Sequence, residues 1–126
     1  MVSIVLVSHS ARLAEAAAEL AGLMAKKVRI IGAGGMEDGD FGTSFNRIYD
    51  AIEQVYSPDG VMVLMDMGSS VMTTEMVLEE MEDMKVCMAD APFVEGAIAA
   101  AVEASFGSSL EEVVQAAEDT RGETKL

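Results

Sequence analysis

The chain contains one histidine, and the residues around it suit phosphoryl transfer. His9 stands in "SHSAR", where an apolar run ends and a helical pattern begins. A neutral imidazole takes a phosphoryl group on one nitrogen if its other nitrogen is held as a donor, and a carboxylate is suited to accept that hydrogen bond. Asp66, in "MDMGSS" after another apolar run, has the required type. His9 is therefore the predicted phosphoryl acceptor, and Asp66 the residue that orients its ring.

A phosphorylated imidazole carries about two negative charges, which need hydrogen-bond donors. Backbone N–H groups at helix N-termini supply such donors, and hydroxyl groups add to them. The predicted phosphoryl-binding residues are Ser10, Gly42, Thr43, Ser44, Gly68, Ser69 and Ser70. Capping of the helices explains each serine and threonine about as well as phosphoryl binding does, and Asp66 is also typical of a turn or cap. The sequence leaves both interpretations open.

Two arginines are the cationic side chains closest to the predicted site. Arg12 lies one turn after His9, and Arg47 lies in the first turn after "GTS". Either side chain would be placed to approach phosphoryl oxygens or a partner's carboxylate. A solvated position on a helix surface is an equal alternative for both, because exposed charge is the usual state of arginine.

The elements that position these residues follow from the hydrophobic pattern. Apolar runs predict β-strands at 3–7, 27–31, 61–65 and 85–89. Helical spacing follows each strand, the later helices covering 92–106 and 110–118. Such alternation predicts an α/β, doubly wound parallel sheet of about four strands, in the order 2-1-3-4 with helices on both faces. Ligands bind such sheets where the strand order reverses, beyond the carboxyl ends of the strands, and this places His9 beside Asp66.

Helical spacing also predicts which side chains face the core. The predicted inward residues are Leu13, Ala16, Ala17, Leu20 and Met24 in the first helix, Phe45, Ile48, Ile52 and Val55 in the second, and Met72, Met76, Val77 and Met81 in the third. Methionines concentrated between Met62 and Met88 are predicted to be core filler, with a groove for partner helices as the alternative. Cys87 is predicted to be buried, and "GAGGMEDGDFGTS" to be a mobile loop.

Length and composition indicate one domain over 1–118 with a polar C-terminal tail at 119–126. The net charge of -14 argues against nucleic acid and anionic membranes as partners and favours cationic surfaces. One cysteine allows no disulfide within the chain, which suits a reducing cytoplasm. The N-terminal apolar run is too short for a signal peptide or a membrane span. These observations predict a cytoplasmic protein.

Other chemistries lack their required residues. The glycine loop has no lysine for a P-loop, and "GAGGME" lacks the last glycine of a dinucleotide motif. No "G-x-S-x-G" elbow is present for a serine hydrolase, and one histidine with one cysteine is too few for a metal site. A phosphohistidine phosphatase or mutase needs more cationic ligands. A receiver domain needs an acidic pair where "SHS" stands.

The residues "IVLVSHSARLAEAAAEL", "DFGTS" and "GVMVLMDMGSS" together resemble the mannose-type IIA domains of the sugar phosphotransferase system, through about residue 106. Within that family the chain is similar to the phosphoryl-carrier subunit of phosphotransferase-dependent dihydroxyacetone kinase. Sugar-specific relatives carry "H-G" after the first strand and a "D-x-x-G-G-S-P" type loop. The chain has His9-Ser10 and "DMGSS" instead, which favours the dihydroxyacetone system.

The resemblance implies a phosphotransferase subunit with a covalent phosphohistidine intermediate. His9 would take the phosphoryl group from HPr and pass it to ADP, which is bound on the nucleotide subunit of dihydroxyacetone kinase. No cofactor and no metal would be bound by the chain itself, because ADP and ATP would sit on the partner. The alternatives are a IIA component of a mannose-family sugar transporter and a non-catalytic regulatory interaction domain of the same fold.

A homodimer is also predicted. Mannose-type relatives dimerise, and the apolar segments "VEGAIAAAVEASF" and "LEEVVQAA" carry more apolar surface than four strands obviously cover. The alternative is that these helices complete the second layer of the monomer.

Overall fold

The computed structural model describes all 126 residues as one parallel sheet with helices on both faces. The strands are β1 (Ser3–Ser8), β2 (Ile30–Gly34), β3 (Val61–Met65) and β4 (Val86–Met88). The helices are α1 (Ala11–Met24), α2 (Phe45–Val55), α3 (Ser69–Glu79), α4 (Phe93–Ser105) and α5 (Leu110–Asp119), with a 3-10 turn at Thr120–Gly122. The strand order β2-β1-β3-β4 confirms the predicted doubly wound sheet. None of the helices has the length and apolarity needed to cross a lipid bilayer.

The strand register brings the two predicted site residues to one edge of the sheet. Val7 in β1 pairs with Met65 in β3, and the N–H of Asp66 donates to the carbonyl of Val7 at 3.0 Å. His9 and Asp66 are therefore the first residues beyond two neighbouring strands. This carboxyl edge is also the point where the strand order reverses.

Two hydrophobic cores hold the layers together. Alternate residues of the central strands, such as Ile4 and Met62, point to the side covered by α1, α4 and α5. The intervening residues, such as Val5 and Val63, point to the side covered by α2 and α3. In α2 the predicted core residues Ile48, Ile52 and Val55 are buried, while Phe45 is only partly so.

Helix α1 packs on a face that shares only Ala17 with the predicted one. Its buried residues are Ala14, Ala17 and Ala21, whereas Leu13, Leu20 and Met24 are exposed, and so is Ala16. The cause is the close approach of α1 to β2. A Cβ on Gly32 would lie 2.8 Å from the backbone of Ala14, and a Cβ on Gly34 would collide with Ser10. Only small side chains fit this contact, so the large ones turn outward.

The second strand also lies further along the chain than predicted. The predicted strand 27–31 is wrong by three residues, because β2 continues through Gly34 into the segment predicted to be a loop. In the rest of that segment, backbone hydrogen bonds within the segment form turns. The N–H of Met36 donates to Asp40 at 2.8 Å, and the N–H of Gly39 donates to Met36 at 3.0 Å.

Three further core predictions are wrong. Val77 in α3 and Met81 just after it are buried as predicted, but Met72 and Met76 in α3 are exposed. Met62 and Met81 fill the core, so the core-filler interpretation holds for only part of the methionines. Cys87 is exposed, because β4 is a three-residue strand at the edge of the sheet.

The C-terminal helices complete the monomer. A capping box of Ser109 and Glu112 opens α5, and Gly107, with a φ of 78°, follows α4. Most apolar residues of both helices lie in the core or pack against it, among them Ala97, Ala101 and Val113, but Val94 is 38% exposed and Phe106, the C-cap of α4, is 75% exposed. Most of the apolar surface that motivated the homodimer is therefore used within one chain. Helix α5 ends at Asp119, one residue past the predicted boundary at 118, and Thr120 is buried.

Candidate active site

Asp66 lies at the centre of the carboxyl edge and accepts hydrogen bonds from all sides. Its Oδ2 accepts from the hydroxyl of Ser8 at 2.9 Å and from the N–H of His9 at 3.0 Å. Its Oδ1 accepts from the hydroxyl of Ser70 at 2.6 Å and from the N–H of Met67 at 2.7 Å. Every one of these groups is a donor, so the position requires a carboxylate.

These donors keep Asp66 ionised. Burial of the side chain raises the pKa of Asp66, but the hydrogen bonds from Ser70, His9, Met67 and Ser8 together lower it to about 2. Donors to a carboxylate favour its charged form, and here they outweigh the desolvation. Asp66 is therefore negatively charged at every pH at which the protein would function.

The imidazole of His9 is held between a carboxylate and a hydroxyl. Its Nδ1 lies 3.1 Å from Oδ1 and 3.3 Å from Oδ2 of Asp66, and 3.2 Å from the hydroxyl of Ser70. Because Asp66 is ionised and only accepts, Nδ1 carries the hydrogen. Nε2 lies 2.9 Å from the hydroxyl of Ser69, which donates to its lone pair. With its side chain 29% exposed, the ring presents a nucleophilic Nε2.

A chain of hydroxyl groups leads away from Nε2. Ser69 lies 3.1 Å from Thr43, and Thr43 lies 3.2 Å from Thr73. Thr43 belongs to the segment before α2, while Ser69 and Thr73 are one turn apart on α3. Thr73 is not among the predicted site residues, although its spacing of four residues from Ser69 places both on one helix face. Ser8, whose hydroxyl binds Asp66, is not among them either.

The predicted phosphoryl-binding residues divide into two groups. Ser69, Ser70 and Thr43 surround His9 and Asp66. Ser10 instead caps α1 by accepting from the N–H of Leu13 at 3.2 Å, and the buried Ser44 caps α2 by accepting from Arg47 at 3.2 Å. These two hydroxyls serve their own helices.

The two predicted glycines have separate roles. The N–H of Gly42 donates to the carbonyl of His9 at 2.9 Å and so fixes the backbone between β1 and α1. Gly68 is the N-cap of α3, with a φ of 51° and no side chain to cap the first turn. The N–H groups of Gly68 and Ser69 have no acceptor within the chain. They remain available to an anion at the positive end of the helix.

The structure separates the two arginines. Nε of Arg47 donates to the carbonyl of Gly34 at 3.1 Å, which ties this side chain to the end of β2. Arg12 is exposed on the first turn of α1 and joins no hydrogen bond or ion pair. A contact of either residue with a phosphoryl group or a partner stays a prediction.

The arrangement can perform nucleophilic phosphoryl transfer. Asp66 fixes the tautomer of His9 and would stabilise the cation formed if Nε2 became bonded to phosphorus. The hydroxyl of Ser69, in the first turn of α3, lies next to Nε2, where the phosphoryl oxygens would be.

Comparison with known proteins gives a consistent result. Residues 3–114 match the model of the EIIA-man family, described as the fructose IIA component of the phosphotransferase system. The chain is 40% identical over 121 residues to the phosphoryl donor subunit DhaM of the PEP-dependent dihydroxyacetone kinase of Escherichia coli K12. That match covers 90% of this chain but only 26% of the relative, so the chain spans about a quarter of the relative's length.

A shorter relative and a solved structure match over nearly their full lengths. The phosphotransferase subunit DhaM of the PTS-dependent dihydroxyacetone kinase of Lactococcus lactis is 34% identical over 110 residues, which covers 87% of this chain and 88% of the relative. The crystal structure of a protein of unknown function superposes with a TM-score of 0.85, covering 100% of this chain and 99% of that one at 24% identity. This likeness shows the fold.

Proposed function

Because the chain belongs to the EIIA-man family, we propose that it is a phosphoryl carrier whose His9 accepts a phosphoryl group from phospho-HPr on Nε2. The observation that carries the proposal is the position of the imidazole, with Nδ1 on the ionised Asp66 and Nε2 facing the hydroxyl of Ser69. A residue held only for structural reasons would not need one nitrogen fixed as donor and the other left as an acceptor beside a hydroxyl at the start of a helix.

The transfer needs no external acid or base. The lone pair of Nε2 attacks the phosphorus of the donor's phosphohistidine, a new N–P bond forms and the donor's N–P bond breaks. The donor ring leaves as a neutral imidazole and keeps its own N–H. His9 becomes the cationic, phosphorylated ring, and its Nδ1–H remains on Asp66. The hydroxyl of Ser69 then turns its hydrogen from Nε2 to a phosphoryl oxygen.

The relative from Escherichia coli is named as the phosphoryl donor subunit of a dihydroxyacetone kinase, so the acceptor we propose is ADP on the nucleotide subunit of such a kinase. An oxygen of the terminal phosphate of ADP would attack phosphorus, the His9–phosphorus bond would break, and ATP would form on the partner. That subunit would then phosphorylate dihydroxyacetone. Under this proposal no nucleotide is bound by the carrier itself, and the exchange takes place in the cytoplasm, where HPr and ADP meet.

Labelling tests the histidine. Incubation with phosphoenolpyruvate, enzyme I and HPr should add one acid-labile, base-stable phosphate per chain, measured by intact mass. Phosphorus–nitrogen coupling in NMR spectra should place the phosphate on Nε2. His9→Ala removes the only imidazole, so this variant, checked for an unchanged thermal unfolding curve, should take no label. A label retained in His9→Ala would refute the proposal.

A mixing experiment identifies the acceptor. Phosphorylated carrier should lose its phosphate to an ADP-loaded nucleotide subunit, with ATP appearing in equal amount. Loss to a IIB domain of a mannose-family transporter instead would support the second candidate, a sugar-transport IIA component. A carrier that is never phosphorylated would support the third, a regulatory interaction domain.

The homodimer stays a prediction, although α4 and α5 no longer argue for it. Exposed apolar side chains on α1, among them Leu13, Leu20 and Leu23, are unused within the monomer. Light scattering at micromolar concentration should give the mass of two chains. A mass of one chain would refute the dimer.

A further inference from the structure

Four large apolar side chains are exposed beside the nucleophile. Phe41 is 82% exposed and precedes Gly42, whose N–H donates to the carbonyl of His9. Met67 is 66% exposed and follows Asp66, and Met72 and Met76 on α3 are 67% and 56% exposed. We refer to Phe41, Met67, Met72 and Met76 as the methionine patch. The catalytic geometry described above uses none of these side chains.

The periodicity of α3 directs this patch toward the nucleophile. At about 100° per residue, Ser69, Met72, Thr73 and Met76 occupy one face of the helix. Ser69 binds Nε2 of His9, and Thr73 binds Thr43. The face of α3 that contacts His9 through Ser69 therefore also carries two exposed methionines, Met72 and Met76. Met67 lies at the entrance to the same helix.

The charges around the patch suggest what covers it. The acidic side chains Glu37, Asp38 and Asp40 precede Phe41, and Glu75 and Glu79 alternate with the methionines on α3, all of them exposed. Arg47, the cation nearest in the sequence, is turned to the carbonyl of Gly34. An apolar centre within an acidic rim is complementary to a protein with exposed apolar side chains among lysines and arginines. It is not complementary to another acidic surface.

We propose that the methionine patch is the docking surface for the phosphoryl-donor protein, an inference that rests on the proposed function. The donor's phosphorus must come within bonding distance of Nε2, so the donor must cover the side chains around that nitrogen. Methionine is flexible and polarizable, which lets the patch adapt to a partner that binds briefly and leaves. The small number of apolar side chains suits a weak, transient complex.

The test compares two double variants that remove similar exposed apolar groups. Phe41→Gln with Met72→Gln alters the patch. Phe106→Gln with Met24→Gln is the matched control, because these side chains are 75% and 62% exposed and lie at the ends of α4 and α1, on the opposite edge of the sheet. The patch variant should lose about tenfold or more in kcat/KM for phosphorylation by phospho-HPr, as expected for interface anchors. The control should stay within twofold of wild type.

A small phosphoryl donor separates docking from chemistry. Phosphoramidate, which releases ammonia as it phosphorylates Nε2, needs no protein interface, so both double variants should react with it at the wild-type rate. Equal rates of patch variant and control with phospho-HPr would overturn the docking proposal and leave the proposed function standing. A patch variant that takes the phosphate normally but passes it on slowly would also overturn the assignment to the donor. No labelling of wild type by either donor would remove the proposed function itself.

Discussion

Helices α2 and α3 begin with similar residues, "GTSF" and "GSSV", but use them differently. In α2 the hydroxyl of Ser44 accepts a hydrogen bond from the N–H of Arg47, and the first turn is capped. In α3 a glycine stands at the cap, and the two serines that follow bind His9 and Asp66. The serine of one helix start caps its helix, and the serines of the other bind the side chains of the candidate site.

The difference has a physical consequence for anion binding. A capping hydroxyl occupies an N–H that an anion would otherwise use, and it contributes about 1 kcal/mol to stability. In α3 that stabilisation is absent, and the N–H groups of Gly68 and Ser69 stay open at the positive end of the helix. Residues at the start of α3 should therefore affect transfer rates, and the capping serines Ser44 of α2 and Ser10 of α1 should affect mainly stability.

Asp66→Asn should have the largest effect, about a 10³-fold loss in the rate of transfer to His9. An amide places an NH₂ group against donors that the carboxylate accepted, and it removes the charge that stabilises the phosphorylated ring. Stopped-flow or quench measurements with phospho-HPr would give the rate. Asp59→Asn, an exposed carboxylate at the opposite edge, is the control and should leave the rate unchanged. A rate within tenfold of wild type would refute the assigned role.

Ser69→Ala should slow transfer by roughly 10- to 100-fold, as expected for a lost donor to developing charge. The hydroxyl of Ser69 is 2.9 Å from Nε2 and is one of the nearest donors to the incoming phosphoryl group. Thr73→Val, which removes only the end of the hydroxyl chain, should have a smaller effect in the same assay. Ser69→Ala with a wild-type rate would mean that the open N–H groups suffice.

The lowered pKa of Asp66 predicts that the free energy of unfolding decreases as the pH falls. A carboxyl with a pKa of about 2 in the folded chain and near 3.9 in the unfolded chain contributes about 2 kcal/mol to stability above pH 5. This contribution is lost as the pH falls from about 4 through 2. The difference in free energy of unfolding between wild type and Asp66→Asn, measured by urea titration, should therefore shrink between pH 6 and pH 3. A constant difference would refute the lowered pKa.

Ser44→Ala tests the assigned role of Ser44 at the start of α2, which is to stabilise the fold. Loss of the cap should reduce the free energy of unfolding by about 1 kcal/mol, because the N–H of Arg47 loses its acceptor. Transfer from phospho-HPr, measured well below the unfolding temperature, should stay at the wild-type rate. The opposite pattern, slow transfer with unchanged stability, would show that Ser44 acts in the site and not only as a cap.

The pattern of apolar runs was sufficient to predict the sheet and the meeting of His9 with Asp66. Both residues directly follow buried strands, and parallel strands end at a common edge. The sequence could not predict which hydroxyls cap and which bind, since serine suits both. That choice depends on whether the helix start faces the neighbouring loop, which the tertiary structure alone determines.

Reliance on side-chain size explains why the buried face of α1 and the two exposed methionines of α3 differ from the predictions. Helical spacing was interpreted by placing the largest apolar side chains inward. Gly32 and Gly34 bring β2 so close to α1 that only alanines fit between them. On α3, Met72 and Met76 follow the face that carries Ser69 to the site. Side-chain size is thus a poor guide where a backbone contact or a functional face takes precedence over packing.

Arg12→Ala should have the smallest effect, a loss of about two- to threefold in the rate of transfer from phospho-HPr. Ser10 keeps the start of α1 capped, so an exposed Arg12 would act there only through its charge. At 0.1 M salt, charges more than about 10 Å apart are screened, so the difference between Arg12→Ala and wild type should vanish at 0.5 M salt. The transfer rate of wild type should also fall as salt is added, because salt weakens the attraction between its acidic surface and a cationic donor. Lys27→Ala, at the amino edge of the sheet, is the matched control. A loss above tenfold for Arg12→Ala that persists at high salt would mean direct contact with the phosphoryl group, and the start of α1 would then share the role assigned to α3.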